Sequence, residues 1–177
     1  APGFAITDPR RYAYSLLNTI LGGNMSSRLF QEIRENRGLA YTVYSFITSH
    51  VDTGMFGIYL AVDPARALEA TDLVLSEIDK LSAEPVTATE LQGAIEYTKG
   101  SLLLASESND NQMVRTAQNE IHFNRIISLA EVIEKIESVT ATEILELSGS
   151  LFEKNKMSLT LLGPVKDKKP FEDILYS

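Results

Sequence analysis

Apolar residues recur along this chain at two periods, and the switches between them mark its elements. After Asp8-Pro9, Tyr12, Leu16 and Ile20 fall four apart with Ala13, Leu17 and Leu21 beside them, the stripe of an amphipathic helix. Asp8 is the expected N-cap, and Pro9 suits the first helical position, where its missing N–H costs nothing. Gly22-Gly23 ends that helix. A second helix is expected from about Ser26 to Asn36, burying Leu29, Phe30 and Ile33 and turning Arg28, Glu32 and Glu35 outward. From Tyr41 to His50 and from Gly54 to Val62 the period shortens, and β-forming residues flank a short polar turn, which predicts an antiparallel hairpin. Met55, Phe56, Ile58, Tyr59, Leu60 and Val62 make the second strand apolar on both faces, the pattern of a central strand covered on two sides.

Beyond the hairpin the chain reads as mostly helical. Asp63-Pro64 repeats the Asp-Pro start, and Ala67, Ala70, Val74, Ile78 and Leu81 form the next stripe. Thr87 with Glu90, Ser128 with Glu131 and Thr140 with Glu143 have the spacing of capping boxes, and Asn109 is a further expected N-cap. Lys156 to Leu162 reads as a returning strand ended by Gly163-Pro164. Residues 1–177 are therefore expected to form a single α+β domain, a mainly antiparallel sheet with helices packed on one face.

Composition narrows the chemistry. A chain of 177 residues with 44% hydrophobic content can bury one substantial core. Sixteen Lys and Arg against 24 Asp and Glu give a net charge of -8, and the only basic cluster is the short run Lys166-Asp167-Lys168-Lys169, read as a solvated tail. A nucleic-acid partner is not expected. No apolar window approaches the ~18 residues of a membrane span, so no membrane role is expected either. The chain has no cysteine and only His50 and His122 as imidazole donors, with no His-x-x-Glu-His or His-Glu-x-x-His. It is not expected to assemble a zinc site of three or four protein ligands from its own residues.

Arg34 and Tyr41, seven residues apart, are the candidate chemical pair. Arg34 falls in the last turn of the second helix, where a cation complements the negative end of the dipole, and Tyr41 opens a strand as a half-buried aromatic with a wet hydroxyl. Those placements are ordinary for such residues. The same helix-turn-strand layout can also bring guanidinium and phenol to one spot, as fixed donors to a carbonyl and to the oxyanion that develops under attack by water. Arg37, in the same turn, is the rival arginine.

The run from Leu21 through Gly22-Gly23-Asn24-Met25-Ser26-Ser27-Arg28-Leu29-Phe30-Gln31-Glu32-Ile33-Arg34-Glu35, followed by Arg37-Gly38-Leu39-Ala40-Tyr41, resembles the C-terminal half of the insulinase/pitrilysin family of zinc metallopeptidases. It is similar mainly to the smaller bacterial, mitochondrial-processing-peptidase-like branch. The likeness continues at Asp52-Thr53-Gly54, Phe56-Gly57, Lys99-Gly100-Ser101-Leu102, Ile127-Ser128-Leu129 and Leu161-Leu162-Gly163-Pro164. The resemblance implies an α+β half-domain of a two-half peptidase, inactive alone. Zinc would lie in the complementary half, on the same polypeptide or a partner subunit, with no cofactor held by this chain. Arg34 and Tyr41 would then grip the peptide substrate at the scissile bond. It also implies that Ala1-Pro2-Gly3 is the exit of a strand, so that an open sheet edge could pair two copies as a homodimer. A bacterial cytoplasmic setting fits that branch. The alternative is a non-catalytic scaffold or interaction subunit, as relatives of this fold are in respiratory cytochrome complexes.

Overall fold

A computed structural model describes residues 1–176, and in it seven α-helices pack against a three-stranded antiparallel sheet. The sheet consists of β1 (Pro2–Gly3), β2 (Ala40–Ser49) and β3 (Gly54–Val62), in the order β1-β3-β2. The predicted hairpin is present almost residue for residue, with Ser49 opposite Gly54 and Val43 opposite Leu60. Helices α1 (Arg11–Leu21), α2 (Ala67–Ala83), α3 (Ala88–Ser106), α4 (Asn109–Phe123), α5 (Leu129–Glu137), α6 (Ala141–Leu151) and α7 (Lys169–Tyr176) complete the fold.

The core gathers around α1. Leu16, Leu17 and Leu21 are wholly buried, and an aromatic chain runs from Phe4 through Tyr14 and Phe56 to Phe152, with ring centroids 5.0, 5.9 and 5.2 Å apart. Glycine at position 22 lets the end of α1 approach the sheet. A Cβ there would stand 2.5 Å from the Ser45 backbone nitrogen, which instead donates to the Gly22 carbonyl at 3.1 Å. Ser45 Oγ also donates to Asn18 Oδ1 at 2.8 Å. These contacts clamp the middle of β2 to α1.

Two capping boxes form as read, Thr87 with Glu90 and Thr140 with Glu143. Elsewhere the structure departs from the sequence reading. Asp8 does not cap α1. Its carboxylate accepts from the Arg10 backbone and guanidinium at 2.8–3.0 Å, and the helix begins at Arg11. Hydrogen bonding from Arg10 also holds the Asp8 carboxyl below its usual range. Ser128 caps α5, but Arg125 takes the Glu131 carboxylate, so that box is half formed. Ser108, one residue before Asn109, caps α4.

Lys156–Leu162 is not a strand. Lys154–Lys156 form a 3-10 turn, and residues 157–162 have no ladder partner among the described residues. The period-2 pattern survives, since Met157, Leu159 and Leu161 are half-buried while Ser158, Thr160 and Leu162 are exposed. Alternation sets the faces of an extended segment, but a strand also needs a neighbour. β3 is central in strand order, yet Phe56 is its only fully buried residue. Its outward Met55 and Tyr59 stay about half exposed, and Tyr59 stacks laterally on Tyr44 at 5.3 Å. Two-sided apolarity here reflects cross-strand contacts on an open face rather than a second covering layer.

Candidate functional site

Between α1 and β2 the chain turns a corner in which three irregularities follow one another. The first is the helix Phe30–Asn36, which is wound as a π-helix. Its entry is pinned by Asn24, whose side chain accepts from the Ser26 N–H at 2.7 Å, and by Gln31 Nε2 donating to the Met25 carbonyl at 2.7 Å. Arg28 ties it to the start of α3 through a two-pronged bond to Glu90, at 2.8 and 3.2 Å. Burial would raise the Glu90 carboxyl, but Arg28 and the Thr87 backbone outweigh it and hold the group below its usual range. Leu29 and Ile33 are wholly buried and fix the inward face. Single π-turns inside proteins occur often at functional sites.

The second irregularity is Gly38, in the left-handed region at φ 57. Its N–H donates to the Arg34 carbonyl at 3.1 Å, and the Leu39 N–H reaches back to Ile33 at 2.8 Å, so the helix end closes while the chain reverses. Only glycine adopts this conformation without penalty.

The third is a bulge at the start of β2. Ala40 pairs with Val62 and Thr42 with Ala61, so Tyr41 has no partner on β3. Such an extra residue bends a strand and re-aims a side chain. Ala40 and Val43 are buried on either side, while Tyr41 is 84% exposed.

Together these features bring the two predicted residues to one place. The Arg34 guanidinium carbon lies 5.4 Å from the centre of the Tyr41 ring and 4.9 Å from that of Phe30. Arg34 is exposed, and among the described residues no carboxylate lies within ion-pair distance of it. Arg37 differs. Its guanidinium is engaged by Glu32 at 2.7 Å, and this contact, then Asn36, holds the Glu32 carboxyl below its usual range. Arg28 is likewise committed to Glu90. One cation at this corner is thus both exposed and unneutralised.

Phe30 was expected only as a core residue, but it is half-buried and shelves Arg34. The four-residue spacing of Phe30 and Arg34 carried that signal, whereas nothing local marks the bulge at Tyr41. Among the described residues no group of three or more His, Asp or Glu stands close enough to hold a metal ion. His50 lies on the hairpin turn and His122 in α4.

Comparison with known proteins places this architecture. Residues 1–97 match the family model described as the peptidase M16 inactive domain. An uncharacterized zinc protease of Streptomyces coelicolor is 37% identical over 168 residues, covering 95% of this chain and 36% of that protein. One from Bacillus subtilis is 35% identical over 162 residues, covering 92% and 39%. The solved structure of a peptidase M16 inactive domain from Pseudomonas fluorescens superposes with a TM-score of 0.74 at 28% identity, over 84% of this chain and 36% of that one. This is a peptidase-type half-domain, as the resemblance implied. The chain belongs to the peptidase M16 inactive-domain family. It spans under two fifths of the length of these curated relatives.

Proposed function

We propose that this chain is the non-zinc half of a zinc metalloendopeptidase, and that Arg34 and Tyr41 are its contribution to the active site. The observation that carries the reading is the exposed pairing of the Arg34 guanidinium with Tyr41 at 5.4 Å, with no carboxylate neutralising the cation among the described residues. Family membership and relatives named as zinc proteases support it. A complementary half facing this corner would close the chamber and present the peptide.

Zinc held by that half would supply Lewis-acid activation of carbonyl and water. The work of this chain is positional and electrostatic. Arg34 offers N–H donors in a fixed fork and Tyr41 a single O–H. As the scissile carbonyl becomes tetrahedral, its oxygen gains charge and moves toward those donors, so both contacts tighten in the transition state. An arginine already paired with a carboxylate, as Arg37 is, would offer a weaker field to that oxygen.

The test uses the two-half enzyme. Arg34→Ala and Tyr41→Phe should each lower kcat for a peptide substrate by about 10²–10³-fold, the cost of one lost oxyanion donor. The thermal midpoint should stay close to that of the parent. Unchanged turnover in both variants would refute the reading and favour a scaffold role.

A further inference from the structure

An exposed arginine needs something to hold it if it is to act as a fixed donor, because its long side chain otherwise samples many rotamers. Two kinds of restraint hold arginines in this protein, carboxylates and aromatic rings. Arg10 is held by Asp8, Arg28 by Glu90, Arg37 by Glu32, Arg66 by Glu69 and Arg125 by Glu131. A carboxylate orients a guanidinium but also neutralises it and occupies its N–H fork. Arg11 lies over the Tyr12 and Phe123 rings at 4.3 and 4.7 Å, and Arg34 is held in the same manner at this corner, 4.9 Å from the Phe30 ring centre and 5.4 Å from the Tyr41 ring centre. An aromatic face attracts the cation through its quadrupole and leaves the N–H edge unoccupied.

We propose that Phe30 is a positioning residue for Arg34, its ring acting as a shelf that restrains the guanidinium without neutralising it. The four-residue spacing makes this possible. Side chains four apart on a helix are neighbours on one face, which places the Phe30 ring beside the Arg34 guanidinium at 4.9 Å. Leu29 and Ile33, wholly buried on the neighbouring face, prevent the helix from rotating that pair away. Tyr41, carried out by its bulge, approaches from the strand side. The inference rests on the reading of Arg34 as a substrate-facing donor only for its catalytic consequence. The positioning itself is a property of this chain.

Two measurements test it separately. In nuclear magnetic resonance spectra of this chain, the Arg34 δ-CH₂ and Nε–H protons should be displaced upfield by ring current. Phe30→Leu, which keeps an apolar side chain against the core, should remove most of that displacement, and Phe30→Tyr should keep it. An unshifted Arg34 in the parent chain, or a displacement unchanged in Phe30→Leu, would overturn the proposal. In the two-half enzyme, Phe30→Leu should lower kcat by about three- to tenfold with little change in KM, and Phe30→Tyr should restore it. Added to Arg34→Ala, Phe30→Leu should cost nothing further, and an equal loss on that background would show that Phe30 acts through the core instead. If Arg34→Ala alone left turnover intact, the functional reading would fall while the ring-current test still decided the positioning.

Discussion

The α1 core and the corner that follows it are neighbours in the chain and built on opposite terms. In α1 the residues obey one rule. The helix is regular, its apolar face is buried against the sheet and the other helices, and Gly22 is small because Ser45 lies against it. In the corner a π-helix, a left-handed glycine and a bulge follow in succession, and the long side chains they present, Arg34 and Tyr41, point into solvent. Yet the corner is not loosely held. Leu29 and Ile33 on one side and Ala40 and Val43 on the other are buried to 5% exposure or less. Irregular backbone between rigid anchors is what a site needs when its side chains must be fixed and accessible together.

Substitutions can break that contrast from either side. The largest stability loss should come from the core: Leu17→Ala, at a wholly buried position, should cost about 2–5 kcal/mol in denaturant unfolding. Arg34→Ala should change stability by less than about 0.5 kcal/mol, as exposed substitutions away from special features do. An equal loss in both would erase the distinction between core and corner. Gly22→Ala should follow at about 1–3 kcal/mol, because its Cβ would meet backbone rather than a flexible side chain.

A small effect is also expected at Tyr14, whose hydroxyl is buried with no hydrogen-bond partner among the described residues. Tyr14→Phe should be neutral or stabilising by up to about 1 kcal/mol, since it removes an unsatisfied polar group. Burial pushes the Tyr14 phenol from its ordinary 10.0 up to about 12, so folding favours the neutral form. Stability from this group is therefore complete below pH 10.0 and declines as the pH rises toward about 12. Unfolding titrations should show that alkaline decline in the parent and a flatter curve in Tyr14→Phe.

The same contrast explains which features could be read from the sequence. The α1 and α2 stripes, the hairpin and two capping boxes depend on residues three or four apart or on strict alternation, so the pattern carried them. Misreadings arose where a side chain had two suitors, as when Arg10 claimed Asp8 and Arg125 claimed Glu131. Residues 157–162 kept the faces of a strand without acquiring a neighbour, which no local pattern can supply. Arg34 and Tyr41 stood out only because a long run around them resembled a known family. Their spacing alone fits an ordinary helix end and strand start. The π-winding and the bulge that bring them together arise from packing on both sides of the corner, and Leu29 with Ile33 fits an α-helix equally well.

Among the described residues Arg34 is exposed and unpaired, while Arg37, three residues on, is neutralised by Glu32. The most direct test compares Arg34→Ala with Arg37→Ala in the two-half enzyme, measuring kcat/KM for one peptide substrate. Arg34→Ala should lose about 10²–10³-fold. Arg37→Ala removes only an exposed ion pair with Glu32 and should stay within about threefold of the parent. Equal losses in the two variants, or the larger loss in Arg37→Ala, would contradict the assignment of the site to Arg34.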